Sequence, residues 1–326
     1  MKNVKSRFPY LALGVFLIAG ITIASCNKNE DPGLPPIGGY NTSDEVAAAN
    51  NIIKFSFDGS LTESKGNIPG TSTNTAFVTG AKGQAFEGSS TQARYAIYDA
   101  PSAFATMTSL SIAFWMKAPQ VVNNPDPNPV QGKGVQGIFA LANPLDFWGG
   151  INLFLEGNNT SAGVPNPDTL RVKLLWQNKR AGVNWQGQDP QFYVPAAVDQ
   201  WVHIAFTYDA ASSIVTVYKN GVKGGAKSLA GPYGPFDGSN TLYADDPGAA
   251  SGNPKAAPLH GALQFPAATK MVIGANQFST TPSLGSAGAQ PWSTTFRGLL
   301  DEFRIYNKGL TSSEVESLYQ LEKAGR

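Results

Sequence analysis

Trp201-Val202-His203-Ile204-Ala205-Phe206-Thr207-Tyr208, followed by Ile214-Val215-Thr216-Val217-Tyr218 and then Asn220-Gly221, decides the fold. Successive side chains of an extended chain point to opposite faces. One face of the first run takes Val202, Ile204, Phe206 and Tyr208, and the other takes Trp201, His203, Ala205 and Thr207. That alternation fits a strand packed on a core rather than a helix. The second run is rich in β-branched residues. Asn-Gly after it marks a tight hairpin turn, because both residues accept positive φ.

Comparable runs recur on either side, separated by Gly, Pro and Asn clusters. They are Ile52–Phe57, Arg94–Tyr98, Leu110–Lys117, Gly137–Leu141, Ile151–Glu156, Leu170–Gln177, Met271–Ile273 and Arg297–Tyr306. One helix is predicted, over Thr311–Lys323. Thr311-Ser312-Ser313-Glu314 is a capping box, and Val315, Leu318, Tyr319 and Glu322 share a face. No repeat of 20 to 50 residues is visible. These elements predict an all-β, two-sheet antiparallel sandwich with a short C-terminal helix. Four stretches read as long loops: Gln120–Lys133, Asn158–Asp168, Asn178–Gln200 and Ala226–Thr269. Loops that long in a compact domain are usually functional or disordered.

The N-terminus has a different character. Lys2, Lys5 and Arg7 precede a mostly apolar run, Tyr10 to Ser25, that ends Ile23-Ala24-Ser25-Cys26. As a helix that run would span roughly 24 Å, short of the ~20 residues a membrane span needs. It reads as a cleaved export signal, residues 1–25. Cys26 is the only cysteine in the chain. The Ile-Ala-Ser-Cys end resembles a bacterial lipobox. That resemblance implies a lipid on Cys26 and attachment to the outer membrane. Residues 26–50, with Pro35-Pro36 and Gly38-Gly39, have little to bury and are expected to be a flexible tether. Lys28-Asn29-Glu30-Asp31 resembles the charged signal that follows the lipidated cysteine in some Bacteroidetes surface lipoproteins, which implies the cell surface.

Residues 51–326 are long enough for a substantial core. Losing the first 25 residues takes the formal charge from +1 to −2, and no Lys/Arg run remains. Nucleic acid is therefore not an expected partner. With no second cysteine, burial of strands must hold the domain together.

Several motifs in order resemble laminin G-like, concanavalin A-like jelly-roll domains. They are Phe57-Asp58-Gly59-Ser60-Leu61, Gly83-Gln84-Ala85-Phe86-Glu87-Gly88, Leu110 to Lys117, the Trp201 to Gly221 hairpin, and Gly298 to Tyr306 with Leu310, Thr311 and Glu314. The resemblance spans residues 51 to 320 and implies two stacked sheets forming a jelly roll. The long loops depart from it, so no binding surface carries over there.

Asp301 sits among Leu299, Leu300, Phe303 and Ile305, and a buried carboxylate needs a partner. The resemblance to related β-glucanases implies one structural Ca²⁺ at Asp301, with oxygens from the Asp58 turn or the Gly88 loop. An ion pair to Arg304 or Arg297, or a turn cap, is the alternative. Glycoside hydrolysis needs two carboxylates flanking one bond. The relatives' Glu-x-Asp-x-x-Glu pattern is missing from this sequence, so an enzyme is the less favoured reading. The two histidines lack zinc spacing, and His203 reads as a core residue.

Aromatics in irregular stretches are the better lead. Trp148, Trp185, Trp292 and Tyr233 stand among Gly, Asn, Gln and Ser. Asn184 and Gln186 flank Trp185. A flat ring can cover the C–H face of a sugar while amides bond its hydroxyls. The expected function is non-catalytic binding of a glycan or polysaccharide. The alternative is adhesion or scaffolding through a protein partner.

Overall fold

In the computed structural model the strand Val202–Asp209 lies inside a sheet, with Leu110–Lys117 on one side and Ile214–Lys219 on the other. The structure describes residues 34–121, 134–157, 168–177, 187–188, 190–224, 228–231, 234–236, 238–243, 258–265 and 268–326. Pro36–Arg326 is one compact unit. Val202, Ile204, Phe206 and Tyr208 enter the main core, as their alternation predicts. The opposite face is also buried: Ala205 packs under the C-terminal helix, and His203 is sealed there too. Asn220 and Gly221 have φ of +51° and +78° and turn the chain back onto Val222–Lys223.

Two nine-stranded sheets pack face to face. The first runs Val222–Lys223, Ile214–Lys219, Val202–Asp209, Leu110–Lys117, Leu299–Tyr306, Gln84–Glu87, Ala76–Thr79, with Asn51–Phe55 pairing to Leu299–Tyr306 and Ser239–Thr241 to Ile214–Lys219. The second runs Gly187–Gln188, Leu170–Gln177, Ile151–Glu156, Val135–Ala142, Lys270–Ile273, Tyr95–Asp99, Thr71–Thr73. Gln191–Val194 pairs with Leu170–Gln177, and Ser293–Thr295 joins Val135–Ala142 in parallel. Between the sheets lie Phe55, Phe114, Phe139, Leu153, Val172, Met271 and Phe303, with Trp176. The fold is the expected all-β sandwich with one C-terminal helix.

That helix, Ser312–Lys323, is capped as its sequence predicts. Thr311 Oγ1 accepts from the Glu314 amide, and the Glu314 carboxylate accepts from the Thr311 amide. Val315, Leu318 and Leu321 pack with Leu310 on Ala113, Ala205, Tyr218 and Tyr306, the outer face of the first sheet. Under the helix lies a buried ionic cluster. Arg304 Nε donates to Glu322 Oε1 at 2.8 Å, Nη2 to Glu302 Oε2 at 2.6 Å, and Nη1 to Asp44 Oδ1 at 2.7 Å. Trp115 Nε1 donates to Glu322 Oε2 at 2.9 Å.

The folded body begins ahead of residue 51. Ser43 and Val46 are buried, Ser43 Oγ accepts from Arg304, and the Ser43 amide donates to the Arg326 carbonyl. The expected tether is therefore shorter than 26–50. Polar Ser43 and Asp44 are drawn in because they complete the coordination of a buried guanidinium, and no composition rule shows that. Residues 1–33, which hold the export signal, Cys26 and the first part of the tether, fall outside the described residues. Among the described residues, no helix is long and apolar enough to cross a membrane.

Candidate functional site

The outer face of the second sheet carries Ala140, Asn152, Phe154 and Leu175, the register partners that alternate away from the core. Over it folds the loop from Asn143 to Gly150, which joins Val135–Ala142 to Ile151–Glu156. Asp146 Oδ1 accepts from the amides of Trp148 (2.7 Å) and Gly149 (3.0 Å), closing a tight turn. Gly149 sits at φ +94°, where a Cβ would lie 2.8 Å from the Leu141 carbonyl, so glycine is required. The side chain of Gln277 threads this loop from outside. Its Oε1 accepts from the Asn143 amide at 2.7 Å, and its Nε2 reaches the Asp146 and Phe147 carbonyls at 2.8 and 3.0 Å. Gln277 is fully buried.

This framework aims five rings at one another. Trp148 stacks on Phe154 (centroids 5.5 Å, 15°), and Phe147 stacks on Phe278 (4.4 Å, 10°). Trp292, which enters from the segment before Ser293–Thr295, lies 5.7 Å from Trp148 and 5.6 Å from Phe278. Phe154 and Phe278 form a buried base, Phe147 and Trp148 are half-buried, and Trp292 is 37% exposed. Leu145, at the loop tip, is 75% exposed. Beside Phe154, Lys173 stands 5.6 Å over the ring while joining Arg171 in pairing with Glu156 at 3.3 and 3.1 Å.

A cleft of about 230 Å³ opens between the Ser89–Ala93 loop and the strand Ser293–Thr295, with Ser279 and Ala289 at its side.

The sequence singled out Trp148 and Trp292 separately, and the fold brings them together. Trp185, Asn184, Gln186 and Tyr233 lie outside the described residues. Gln277 was missed. Its only sequence signal is a glutamine after Asn276 in a loop, which says nothing about partners 134 residues away.

Asp301 is fully buried, and backbone amides surround its carboxylate. Oδ2 accepts from Lys82 at 2.9 Å and Oδ1 from Glu302 at 2.7 Å, and the Ala81 amide donates as well. Burial outweighs these donors and pushes the carboxyl up to about 7. Asp58 meets the same turn, accepting from the Gln84 amide at 2.8 Å, while the Gly88 amide donates to the Gly298 carbonyl. Calcium takes 6–8 oxygen ligands. Amide hydrogens point at Asp301 instead, so this set fits a turn cap and does not fit that cation. Among the described residues, no three His, Cys, Asp or Glu side chains are grouped to hold a metal. Asp301 and Glu302 are offset by a bulge, with Glu302 at φ +43°, which sends one carboxylate to the Lys82 turn and the other to Arg304. His203 is buried, as read from its strand position, and desolvation holds it down at about 3.

No protein-family profile and no curated protein sequence matches the chain. Similar solved structures do exist. One is the binding domain of botulinum neurotoxin DC in complex with SialylT (TM-score 0.51, 13% identity, covering 84% of this chain and 51% of that one). A second is a structure of botulinum neurotoxin type C, described as dependent on two ganglioside molecules to enter cells (0.50, 13%, 84% and 51%). A third is the binding domain of serotype D (0.50, 12%, 86% and 52%). The chain spans about half the length of these structures. At such identities the likeness is one of fold alone, a β-sandwich.

Proposed function

We propose that this protein binds carbohydrate without chemistry, through the Trp148–Trp292 platform, while a lipid on Cys26 holds it at the outer surface of the cell. The observation that carries the reading is the pairing of two indoles from loops far apart in sequence, set 5.7 Å apart on a buried aromatic base. Trp292 keeps over a third of its surface in water, so the cluster does more than plug the end of a sandwich. Stacking a sugar's C–H face on such a ring removes apolar surface from water without ordering a flexible side chain. Fold neighbours whose descriptions include SialylT and gangliosides support the choice of ligand class. The lipobox supports the location.

The test is a glycan array with the full-length protein and with Trp292→Ala and Trp148→Ala. Binding lost in either variant, with melting unchanged in Trp292→Ala, is the expected result. Unaltered glycan binding in both would remove the platform from the reading. Leu145, exposed at the loop tip beside the rings, favours a protein partner as the second reading. Co-purification of a protein from a surface extract, lost in Leu145→Asp and accompanied by no sugar binding, would select it.

A further inference from the structure

We infer that His260 is an acid-sensitive clasp: residues 258–265 stay closed on the sandwich only while its imidazole is neutral, and their opening loosens the base of the Trp148 loop. The clasp is independent of what the indoles bind. His260 and Trp176 are both fully buried. Trp176 Nε1 donates to His260 Nε2 at 3.1 Å. An indole N–H can only donate. The imidazole nitrogen that meets it must carry a lone pair, which places the ring's proton on Nδ1. A doubly protonated ring would set two N–H groups against each other and bury a charge as well.

The hydrogen bonds around the imidazole hold one short segment. The His260 amide donates to the Leu242 carbonyl at 3.0 Å, and the Leu263 amide to the Thr108 carbonyl at 2.9 Å. The Gly261 amide donates to Ser213 Oγ at 2.8 Å, and the Tyr208 hydroxyl donates to the Gly261 carbonyl at 2.6 Å. Leu263 and Phe265 reach the main core. Phe265 lies against Gly150, where a Cβ would come within 3.3 Å of its ring. Gly150 ends the loop that carries Trp148, so releasing residues 258–265 takes packing away from that loop.

Titratable groups stand on each element around the clasp. Tyr208 meets the imidazole edge to face at 5.8 Å. Asp209, next in that strand, turns to Ser212. Arg171 and Lys173, on the strand of Trp176, point to its other face and meet Glu156. Tyr243 bridges to Leu259. An imidazole free to titrate does so near 6.5. Held neutral when closed, it gives the closed form stability that is full above that pH and is lost as the pH falls below it. One proton is involved, so the open fraction should rise by up to about tenfold per pH unit.

The experiment is hydrogen exchange read by mass spectrometry on the full-length protein, from about pH 7.5 to about 4.5, with rates corrected for their intrinsic pH dependence. The proteins are the parent, His203→Phe, and His260→Gln, whose side-chain oxygen can accept from Trp176 without titrating. Protection of residues 258–265 and 143–150 should fall below about pH 6.5 in the parent and in His203→Phe, and should hold in His260→Gln. Burial also pushes the Asp301 and Glu322 carboxyls up, and both remain in every variant. A fall that persists in His260→Gln therefore belongs to them and overturns the clasp, as does flat protection in the parent. Opening of 258–265 with 143–150 unmoved overturns the link to the Trp148 loop. If His260→Gln does not fold, imidazole ¹⁵N spectra of His203→Phe, whose one histidine is His260, decide alone. A neutral ring with its proton on Nδ1 at neutral pH is expected; an imidazolium, or a proton on Nε2, overturns the clasp.

Discussion

Replacing Arg304 with methionine should destabilise the sandwich more than any surface change. Arg304 is 1% exposed, and Glu302 and Glu322 beside it are 1% and 0% exposed. Asp44, the third carboxylate, is 59% exposed and contributes little. Methionine fills most of the space but leaves buried Glu322 without its guanidinium and buried Glu302 with only Lys82, 3.7 Å away. Breaking a buried pair by removing one partner costs about 3–5 kcal/mol. At roughly 2–4 °C per kcal/mol for a domain of this order of size, the midpoint should fall by roughly 6–20 °C. Urea unfolding followed by tryptophan fluorescence and a thermal scan at neutral pH measure both quantities. Glu302→Gln with Glu322→Gln in the Arg304→Met background should restore much of the loss, since the stranded charges are then gone. A single Arg304→Met variant within about 1 kcal/mol of the parent would refute the reasoning, because no buried ion pair of this geometry could then be coupling helix to sheet.

Other expectations are as direct. Gln277→Ala leaves the Asn143 amide and the Phe147 carbonyl without their partner and the Asp146 carbonyl with only the Ser286 amide; it should cost about 1–3 kcal/mol and loosen the Trp148 loop, seen as a weakened near-ultraviolet circular dichroism signal. Thr311→Ala removes the helix cap and should cost about 1 kcal/mol, read from the urea midpoint. His203, packed against Trp115, Tyr319 and Glu322 and near Arg304, is held down at about 3 when folded against 6.5 unfolded. The unfolded chain therefore binds the extra proton first. The parent should lose stability relative to His203→Phe as pH falls from about 6.5 towards 3, and a flat difference between the two would contradict that. Chelator treatment should leave the melting temperature unchanged, given the amides around Asp301; a fall reversed by added calcium would restore the metal.

The strands were readable where alternation was strong. Leu110–Lys117, Ile151–Glu156, Leu170–Gln177 and Ile214–Lys219 occupy their expected positions, as does the capped helix. Short strands such as Thr71–Thr73 and Ser293–Thr295 escaped, because three polar residues carry no period and are held only by their neighbours. The site was half legible. Trp148 and Trp292 stood out as indoles in irregular polar stretches, yet nothing local says that two loops 144 positions apart will meet. Asp301 is ambiguous in the sequence for a related reason: a carboxylate among apolar residues demands a partner, but the sequence does not say whether that partner is a cation or a turn of amide hydrogens.

Residues near Asn41 and the last residue of the chain are stitched together. The Arg326 guanidinium donates to the Asn41 carbonyl at 2.9 Å, and Asp44 is pinned by Arg304 beneath the helix. The paired indoles lie on the other sheet, across the full thickness of the sandwich. A pull on the chain at Asn41 is consequently borne first by the C-terminus and the helix-covered sheet, and reaches the tryptophans only through the core.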